Sequence, residues 1–357
     1  MKSKYIQLAD KLREQIQRGE YSIGEAIPSE NLLQEEYQLS RHTVRQAIGV
    51  LVSEGLLRKE KGSGTYVSNT TPEVLPKRQK TIGVIMTYLS DYIFPSIIRG
   101  IEKELSQQGY SLLLGTTNND HKKERECLQQ MLDQQVDGLI IEPTKSNQYN
   151  PNLSYYIELR EKGIPFLMIN AFYEELDVQH LCVDDTQSGY LGTKYLIENG
   201  HQRLLLLTKI DDLQGKYRMK GFIRAVEEEN LALYPGDIVT YTTESRNQVI
   251  DQVITYLEEN MGEITGVIAY NDEIASLLAQ ELQIKSIKIP QNLSIVGNDD
   301  SNIRVSGDIY LTSLSHPKEQ MGELAAKSII QSINEEKNES YYFTPKLIEG
   351  QSVRKIK

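Results

Sequence analysis

The hydrophobic pattern of the chain changes character around residue 80. Before that point, apolar positions recur at helical spacing. In YIQLADKLREQIQRG, Ile6, Leu8, Ala9, Leu12 and Ile16 share one face, which predicts a helix ending at Gly19. In IPSENLLQEEYQL, Pro28 stops the chain and Ser29 can cap a second helix, with Leu32 and Leu33 facing inward. Ser40 caps a third, on which Val44, Ala47, Ile48 and Leu51 form an apolar stripe. Arg41, His42, Arg45, Gln46 and Gly49 fall on the other side of that helix. LLRKEKGSGTYV then reads as strand, Gly-Ser-Gly turn and strand, a β-hairpin. Three helices followed by a hairpin predict an α+β winged helix-turn-helix over residues 1–68, just large enough to support its own core.

From residue 81 onward, short apolar runs alternate with helical stretches. TIGVIM (81–86), SLLLG (111–115), DGLIIE (137–142), IPFLMIN (164–170), RLLLLT (203–208), DIVTY (237–241), GVIAY (266–270) and LSIVG (293–297) read as strands. Nearly continuous apolar strands separated by helices argue parallel sheets buried on both faces. Eight strands over this length suit two sheets better than one, so 81–357 is expected to be a two-lobed α/β domain, with a ligand held beyond the strand C-termini. Between the two units, NTTPEVLPKRQK (69–80) carries Pro72 and Pro76 without apolar periodicity and reads as a linker.

Charge sharpens this division. The 357-residue chain has a formal net charge of −11, yet residues 1–68 hold ten Lys/Arg against nine Asp/Glu, leaving −12 for the rest. Only the N-terminal unit is suited to meet a polyanion. No run reaches the apolar length of a membrane span, and MKSKYIQLADKLREQI lacks the apolar core of a signal peptide, so the protein is expected in the cytoplasm without a membrane partner. Cys127 and Cys182 are the only thiols, which fits a reducing compartment and speaks against a metal cluster.

Residues 4–67, through IPSENLLQEEYQLSRHTVRQAIGVLVSEGLLRKEKGSGTYV, closely resemble the DNA-binding domain of the GntR family of bacterial regulators. The stretch from about 80 to 350 resembles the effector domain of the LacI family, whose fold is that of periplasmic sugar-binding proteins. The residues that carry this are DDTQSGYLGTKYLIENGHQRLLLL (184–207), RMKGF (218–222), AYNDEIA (269–275), LSIVGNDD (293–300) and LTSLSHPKEQMGELAA (311–326). A GntR headpiece in place of the LacI headpiece and hinge helix is the chimera of L-arabinose-responsive repressors of Gram-positive bacteria, and TYLSDYIFPSIIRGIE (87–102) is similar to that group. The resemblance implies a repressor that binds double-stranded operator DNA as a homodimer and is released by a monosaccharide, L-arabinose, with no further cofactor. The alternatives are another sugar or small molecule, or a corepressor.

On a recognition helix, side chains of the first turns reach base edges in the major groove. The forks of Arg41 and Arg45 match the O6/N7 acceptors of guanine, worth roughly 1–3 kcal/mol of discrimination each. His42 and Thr43 are short enough for a phosphate or a thymine methyl, and Gln46 shares their face. Glu30 can accept from a cytosine amino group, while Lys4 and Lys61 flank the face and can pin phosphates. The wing residues Gly62, Ser63, Gly64 and Thr65 have little bulk and can approach the duplex. The plainer reading is a solvated helix face with a dipole-favoured Glu30.

A sugar needs bidentate polar groups and an aromatic face. Such groups occur directly after the expected strands: Asp91 and Tyr92, Glu142, Asn170, Asn271 and Asp299, with Arg218 at the start of the RMKGF helix. By resemblance, Asn170, Arg218, Asn271 and Asp299 fall on effector-binding positions. Asn298 departs from the aromatic usual there, so stacking would come from Tyr92, Phe172 or Tyr241; Lys209 and Gln214 are further candidates in the loop before Arg218. The plain alternatives are helix caps and core packing. Catalysis is not expected: the chain has no G-x-S-x-G, P-loop, H-E-x-x-H or G-x-G-x-x-G motif. A periplasmic binding protein is the other rival, opposed by the winged-helix unit.

Overall fold

A computed structural model of the protein describes residues 4–60, 63–68, 80–90, 92–301, 303–306, 309–336 and 338–356. Its contacts divide the chain into two units, Met1–Gln79 and Lys80–Lys357. All of the expected linker except Lys80 lies outside the described residues.

In the first unit, α1 (Lys4–Gln17), α2 (Glu30–Tyr37) and α3 (Arg41–Ser53) precede an antiparallel hairpin, β1 (Leu57–Glu60) and β2 (Gly64–Val67), in which Leu57 faces Val67. Both expected caps form: Ser29 accepts from the Leu32 amide at 3.4 Å and Ser40 from the Thr43 amide at 3.3 Å. Leu8, Ala9 and Leu12 of α1 pack with Leu33 and with the Val44, Ala47, Ile48 and Leu51 stripe of α3, and Leu57 and Val67 complete the core. Gly55, at φ +75°, turns the chain out of α3 into the hairpin, a backbone position that suits glycine. Arg13 ties α1 to the end of α3 through Glu54, at 2.7 and 3.0 Å. One expectation fails: Leu33 is fully buried, but Leu32 is 56% exposed, because adjacent helical positions lie about 100° apart and this narrow core accepts only one of them.

The second unit begins with β3 (Thr81–Met86), α4 (Phe94–Gln107), β4 (Ser111–Thr116), α5 (His121–Asp133), β5 (Gly138–Ile141), α6 (Leu153–Glu161), β6 (Phe166–Ile169) and β7 (His180–Val183), which build the first lobe. The second lobe follows as α7 (Asp185–Glu198), β8 (Leu204–Lys209), α8 (Leu213–Glu228), β9 (Ile238–Tyr241), α9 (Arg246–Glu259), β10 (Gly266–Ala269), α10 (Asp272–Ile284) and β11 (Ser294–Asp299), then the small pair β12 (Arg304–Ser306) and β13 (Ile309–Tyr310), and β14 (Thr312–Ser315). The chain then returns. α11 (Lys318–Ile333) packs on α4, β15 (Tyr341–Phe343) joins β7, and β16 (Leu347–Ile348) joins β14.

Two six-stranded sheets result, ordered β15-β7-β6-β5-β3-β4 and β16-β14-β11-β10-β8-β9. Every pairing in them is parallel except β14 with β16. The chain thus crosses between lobes three times: at Asp184, at His316–Pro317 and at 344–346. All eight apolar runs form strands, as expected. The strands without a sequence signal are short: β7 is four residues, HLCV, opened by a histidine, and β15 is a three-residue edge strand with two exposed tyrosines.

Candidate DNA-facing surface and effector cleft

On the first unit, Arg41 and Arg45 begin α3 with side chains 63% and 54% exposed, and His42 and Gln46 are exposed beside them. The stripe that buries Val44 and Ile48 forces this orientation. Thr43 is half-buried, and its hydroxyl lies 2.8 Å from that of Ser40. Glu30 sits among cations: its Oε2 is 2.8 Å from Arg45 Nε and 3.7 Å from Arg41 Nε, and its Oε1 is 3.9 Å from Lys59 Nζ. The bond from Arg45 lowers its pKa below the usual carboxylate range. Glu30 is therefore committed to the two arginines in the free protein, a partnership that its expected cytosine contact would have to replace. Lys59, on β1, joins this group without having been singled out from sequence; it lies two residues from the buried Leu57, so strand alternation alone gave no signal of its exposure. Ser63 and Gly64 are exposed at the wing, Thr65 is half-buried, and Ser63 Oγ bonds the Tyr66 hydroxyl at 2.5 Å. Lys4 is exposed at the first turn of α1. Lys61 and Gly62 lie outside the described residues, as does Asp91.

In the second unit, the C-terminal ends of strands from both sheets meet at a cleft of about 240 Å³. Tyr92, Glu142, Asn170, Asn271 and Asp299 all line it, as do Tyr241 and the additional groups Tyr88, Ser146, Asp212, Thr243, Arg246, Tyr270 and Glu273. Lys209 and Gln214 line it too, but not from a loop: Lys209 ends β8 and Gln214 lies in the first turn of α8. Phe172 does not line it; the aromatic side chains that do are Tyr88, Tyr92, Phe94, Tyr241 and Tyr270, with Tyr241 and Tyr270 packed edge to face at 6.2 Å between centroids.

Hydrogen bonds fix these groups before any ligand arrives. Glu142 accepts from the Thr87 amide at 2.8 Å, from the Thr87 hydroxyl, and from Asn170 Nδ2 at 2.7 Å. Burial raises the Glu142 pKa, and these donors oppose the shift. Asn170 Oδ1 meets His316 Nε2 at 3.0 Å. Burial depresses the His316 pKa to about 4, so the ring is neutral and donates from Nε2. Asn170 and Asp299 both sit at positive φ, +65° and +94°, a strain that the flanking strands must hold. Asn271 caps α10 through Oδ1, accepting from Ile274 at 3.0 Å, so cap and cleft residue are one and the same. Burial would lower the Lys209 pKa, but Asp212, 2.6 Å away, and Asp211 raise it further.

Arg218 departs from its expected place. Helix α8 begins at Leu213, so Arg218 is in its second turn, and it does not line the cleft. Its guanidinium, 3% exposed, lies behind the wall: Nε donates to Asp185 at 2.8 Å, Nη2 to Asp299 at 3.2 Å, and Nη1 to the Tyr270 carbonyl. Burial alone would lower its pKa, but the two carboxylates outweigh that and raise it. Close packing of α7 and α8 holds it there. A Cβ on Gly189 would stand 2.0 Å from the Arg218 carbonyl oxygen, and one on Gly221 2.1 Å from that of Thr186. Asp299 links this buried pair to the other lobe, since its Oδ2 accepts from the Tyr92 hydroxyl at 2.8 Å. Arg218 thus bonds both Asp185 and Asp299. Among the described residues no cluster of His, Cys, Asp and Glu could hold a metal ion, and no helix is long and apolar enough to cross a membrane.

A winged helix with exposed arginines, joined to a two-lobed domain with a polar interlobe cleft, defines a ligand-responsive transcriptional regulator. Residues 4–67 match the family of bacterial regulatory proteins, gntR family, and residues 79–349 match the periplasmic binding proteins and sugar binding domain of LacI family. An arabinose metabolism transcriptional repressor of Halalkalibacterium halodurans is 42% identical over 368 residues, covering 100% of this chain and 98% of the relative. A second arabinose metabolism transcriptional repressor, of Geobacillus stearothermophilus, is 41% identical over 358 residues, covering 99% and 98%. The transcription regulator CcpA of Lactococcus lactis shares the fold with a TM-score of 0.68 at 21% identity, over 77% of this chain and 100% of that one. So does a LacI family transcriptional regulator from Enterococcus faecium with bound ribose, at TM-score 0.66 and 23% identity, over 78% and 100%. The chain belongs to the family of repressors that join a gntR-type DNA-binding unit to a LacI-type sugar-binding domain. It is a sugar-responsive transcriptional repressor, not an enzyme.

Proposed function

We propose that the effector is L-arabinose, bound in the cleft between the two lobes, and that its binding releases the repressor from a palindromic operator. The observation that carries this reading is the convergence of Glu142 and Asn170 from one lobe with Lys209, Asn271 and Asp299 from the other on a single cleft of about 240 Å³. That volume lies below the range of drug-sized sites and suits one monosaccharide. Paired amide and carboxylate groups engage adjacent hydroxyls, and the tyrosines cover the ring. Carboxylates outnumber cations in the lining, with Glu142, Asp212, Glu273 and Asp299 against Lys209 and Arg246, which favours a neutral sugar over a sugar phosphate. The names of the two full-length relatives point to arabinose among neutral sugars.

The DNA contacts are assigned to Arg41, His42, Thr43, Arg45 and Gln46 on α3, with Glu30, Lys4 and the wing 61–65 around them. The repressor acts as a cytoplasmic homodimer assembled through residues 81–357, since linked headpieces on a palindrome gain avidity. The lobes already touch through Tyr92 and Asp299, through Asn119 Nδ2 and Thr243 Oγ1 at 2.7 Å, and through Ser146 Oγ and the Leu213 amide at 2.9 Å. Sugar bound between them adds to these bridges and favours the closed arrangement, and the change reaches the headpieces through the linker 69–80. Linkage requires that operator DNA weaken sugar binding by the same factor as sugar weakens DNA binding, about 5–150-fold for typical couplings. Titrating L-arabinose into a fluorescently labelled operator complex tests the proposal: release at saturating sugar is expected. Tighter binding, or none of this response, overturns it.

A further inference from the structure

A second cavity, of about 270 Å³, adjoins the effector cleft where the chain first crosses between lobes. Its floor is apolar and buried: Cys182 and Val183 at the end of β7, and Leu213 at the start of α8. Its walls are aromatic: Phe172, Tyr217 and Tyr342, the last 49% exposed at the mouth. Phe172 and Tyr342 are braced by His180, which stacks on Phe172 at 4.0 Å and meets Tyr342 edge-on at 5.4 Å. The acidic groups in the lining are Asp184 and Asp185, and the lining contains no cationic side chain. Asp185 is spent on Arg218. Asp184 is exposed and uses one oxygen, Oδ1, to cap α7 through the Gln187 amide at 2.9 Å.

We propose that this cavity is a second, regulatory site for a small organic ammonium ion bearing an apolar or aromatic body. Aromatic faces attract a cation through their quadrupole, and a carboxylate at the rim completes the cage. Anions are repelled by Asp184, the carboxylate at the rim that no cation pairs among the described residues. A second sugar is disfavoured because the apolar floor of Cys182, Val183 and Leu213 offers no partner to hydroxyls on that side, whereas an apolar body is at home against it. Occupancy reaches the effector cleft by two routes. Asn170, Ala171 and Gln214 line both cavities, and Asp185 in this one holds Arg218, which holds Asp299 in the other. An ammonium ion seated beside Asp185 competes with Arg218 for its carboxylate and so shifts the group that bonds Asp299, and the two ligands must change each other's affinity by one common factor.

The existence of the site does not rest on the arabinose reading; only the coupling does. Calorimetry on the full chain with 2-phenylethylammonium, its neutral analogue 2-phenylethanol and the anion phenylacetate tests the chemistry. Saturable one-site binding of the ammonium ion is expected, with the alcohol about tenfold weaker and the anion inert. Asp184→Asn keeps a good helix cap and should weaken the ammonium ion about tenfold, while Tyr342→Leu should weaken it without altering the fold's melting temperature. No saturable binding by the ammonium ion, equal binding by the alcohol, or undiminished binding in both variants overturns the site. The coupling is read by repeating the sugar titration at saturating ammonium. A shift in sugar affinity that levels off supports it, whereas simple competition, with a shift that grows without limit, would make the two cavities one site. Ammonium binding that persists in a protein indifferent to L-arabinose leaves this site standing and removes the arabinose reading alone.

Discussion

The two units handle charge in opposite ways. In the winged helix, Arg41, Arg45 and Lys59 stand about half-exposed around a single carboxylate, Glu30, on a small apolar core. In the sugar-binding domain, Arg218, Asp185 and Asp299 are nearly sealed from solvent and satisfy one another. The first arrangement suits a polyanion: exposed charges feel phosphates at long range, release counterions on contact and respond to salt. The second suits a neutral ligand: buried dipoles and ions are fixed in place, insensitive to salt, and costly to disturb. One chain therefore carries a site tuned by ionic strength and a site protected from it.

The sharpest way to break this contrast is Arg218→Ala, which strands Asp185 and Asp299 as buried charges. A loss of about 3–5 kcal/mol from the unfolding of the sugar-binding domain in urea is expected, with the loss unchanged between low and high salt. A loss below 1 kcal/mol would show that the buried network is as soft as a surface pair. Next comes His316, whose neutral ring is favoured in the fold because burial holds its pKa near 4 rather than the ordinary 6.5. A depressed folded pKa gives stability that is complete above pH 6.5 and lost as pH falls towards 4, on the order of 3 kcal/mol in all. His316→Gln can still donate to Asn170 but has no proton to gain. The wild type should thus lose stability faster than this variant over that window, measured as the difference in their urea midpoints.

On the other unit, Arg45→Ala should cost roughly 1–3 kcal/mol in operator affinity and lower the slope of log affinity against log salt. Its effect on stability should stay below about 1 kcal/mol, because the Arg45 side chain is 54% exposed and the pair is largely solvent-screened. Fluorescence anisotropy across a salt series checks the first two, and thermal unfolding the third. The smallest effect belongs to Ser40→Ala, which removes the cap of α3 and should cost about 1 kcal/mol of stability by thermal unfolding. Operator affinity should fall less in this variant than in Arg45→Ala.

Much of this was legible in the amino-acid order because the signals are local. Capping serines, helical stripes and continuous apolar strands depend on neighbours a few residues away, and they located three helices, the hairpin and eight strands. The cleft residues were legible for the same reason: a polar group just past a strand end, such as Glu142, Asn170 or Asn271, has only the crevice to face. What was not legible depends on distant partners. Nothing near Arg218 in the sequence shows that Asp185 and Asp299, 33 and 81 residues away, take its guanidinium. Leu32 and Leu33 are alike as residues, and only the third dimension decides which is covered. Strands β7 and β15 are too short to stand out in the sequence although their Val, Tyr and Phe residues suit extension; β15 finds its place only by pairing with β7 across about 160 residues.

That last pairing has a consequence for how the protein comes into being on the ribosome. The winged helix is continuous, and its core is complete once Val67 has emerged. Neither lobe of the sugar-binding domain has this independence. The first sheet lacks its edge strand until Tyr341–Phe343 is translated, and the second until Leu347–Ile348 is, so β7 waits with an open edge while about 160 residues are added, and β14 waits more briefly. Open parallel edges invite mispairing while they last. A nascent chain can therefore present a finished DNA-binding unit before the domain meant to govern it exists, and a transcript broken near its end would yield a headpiece without control.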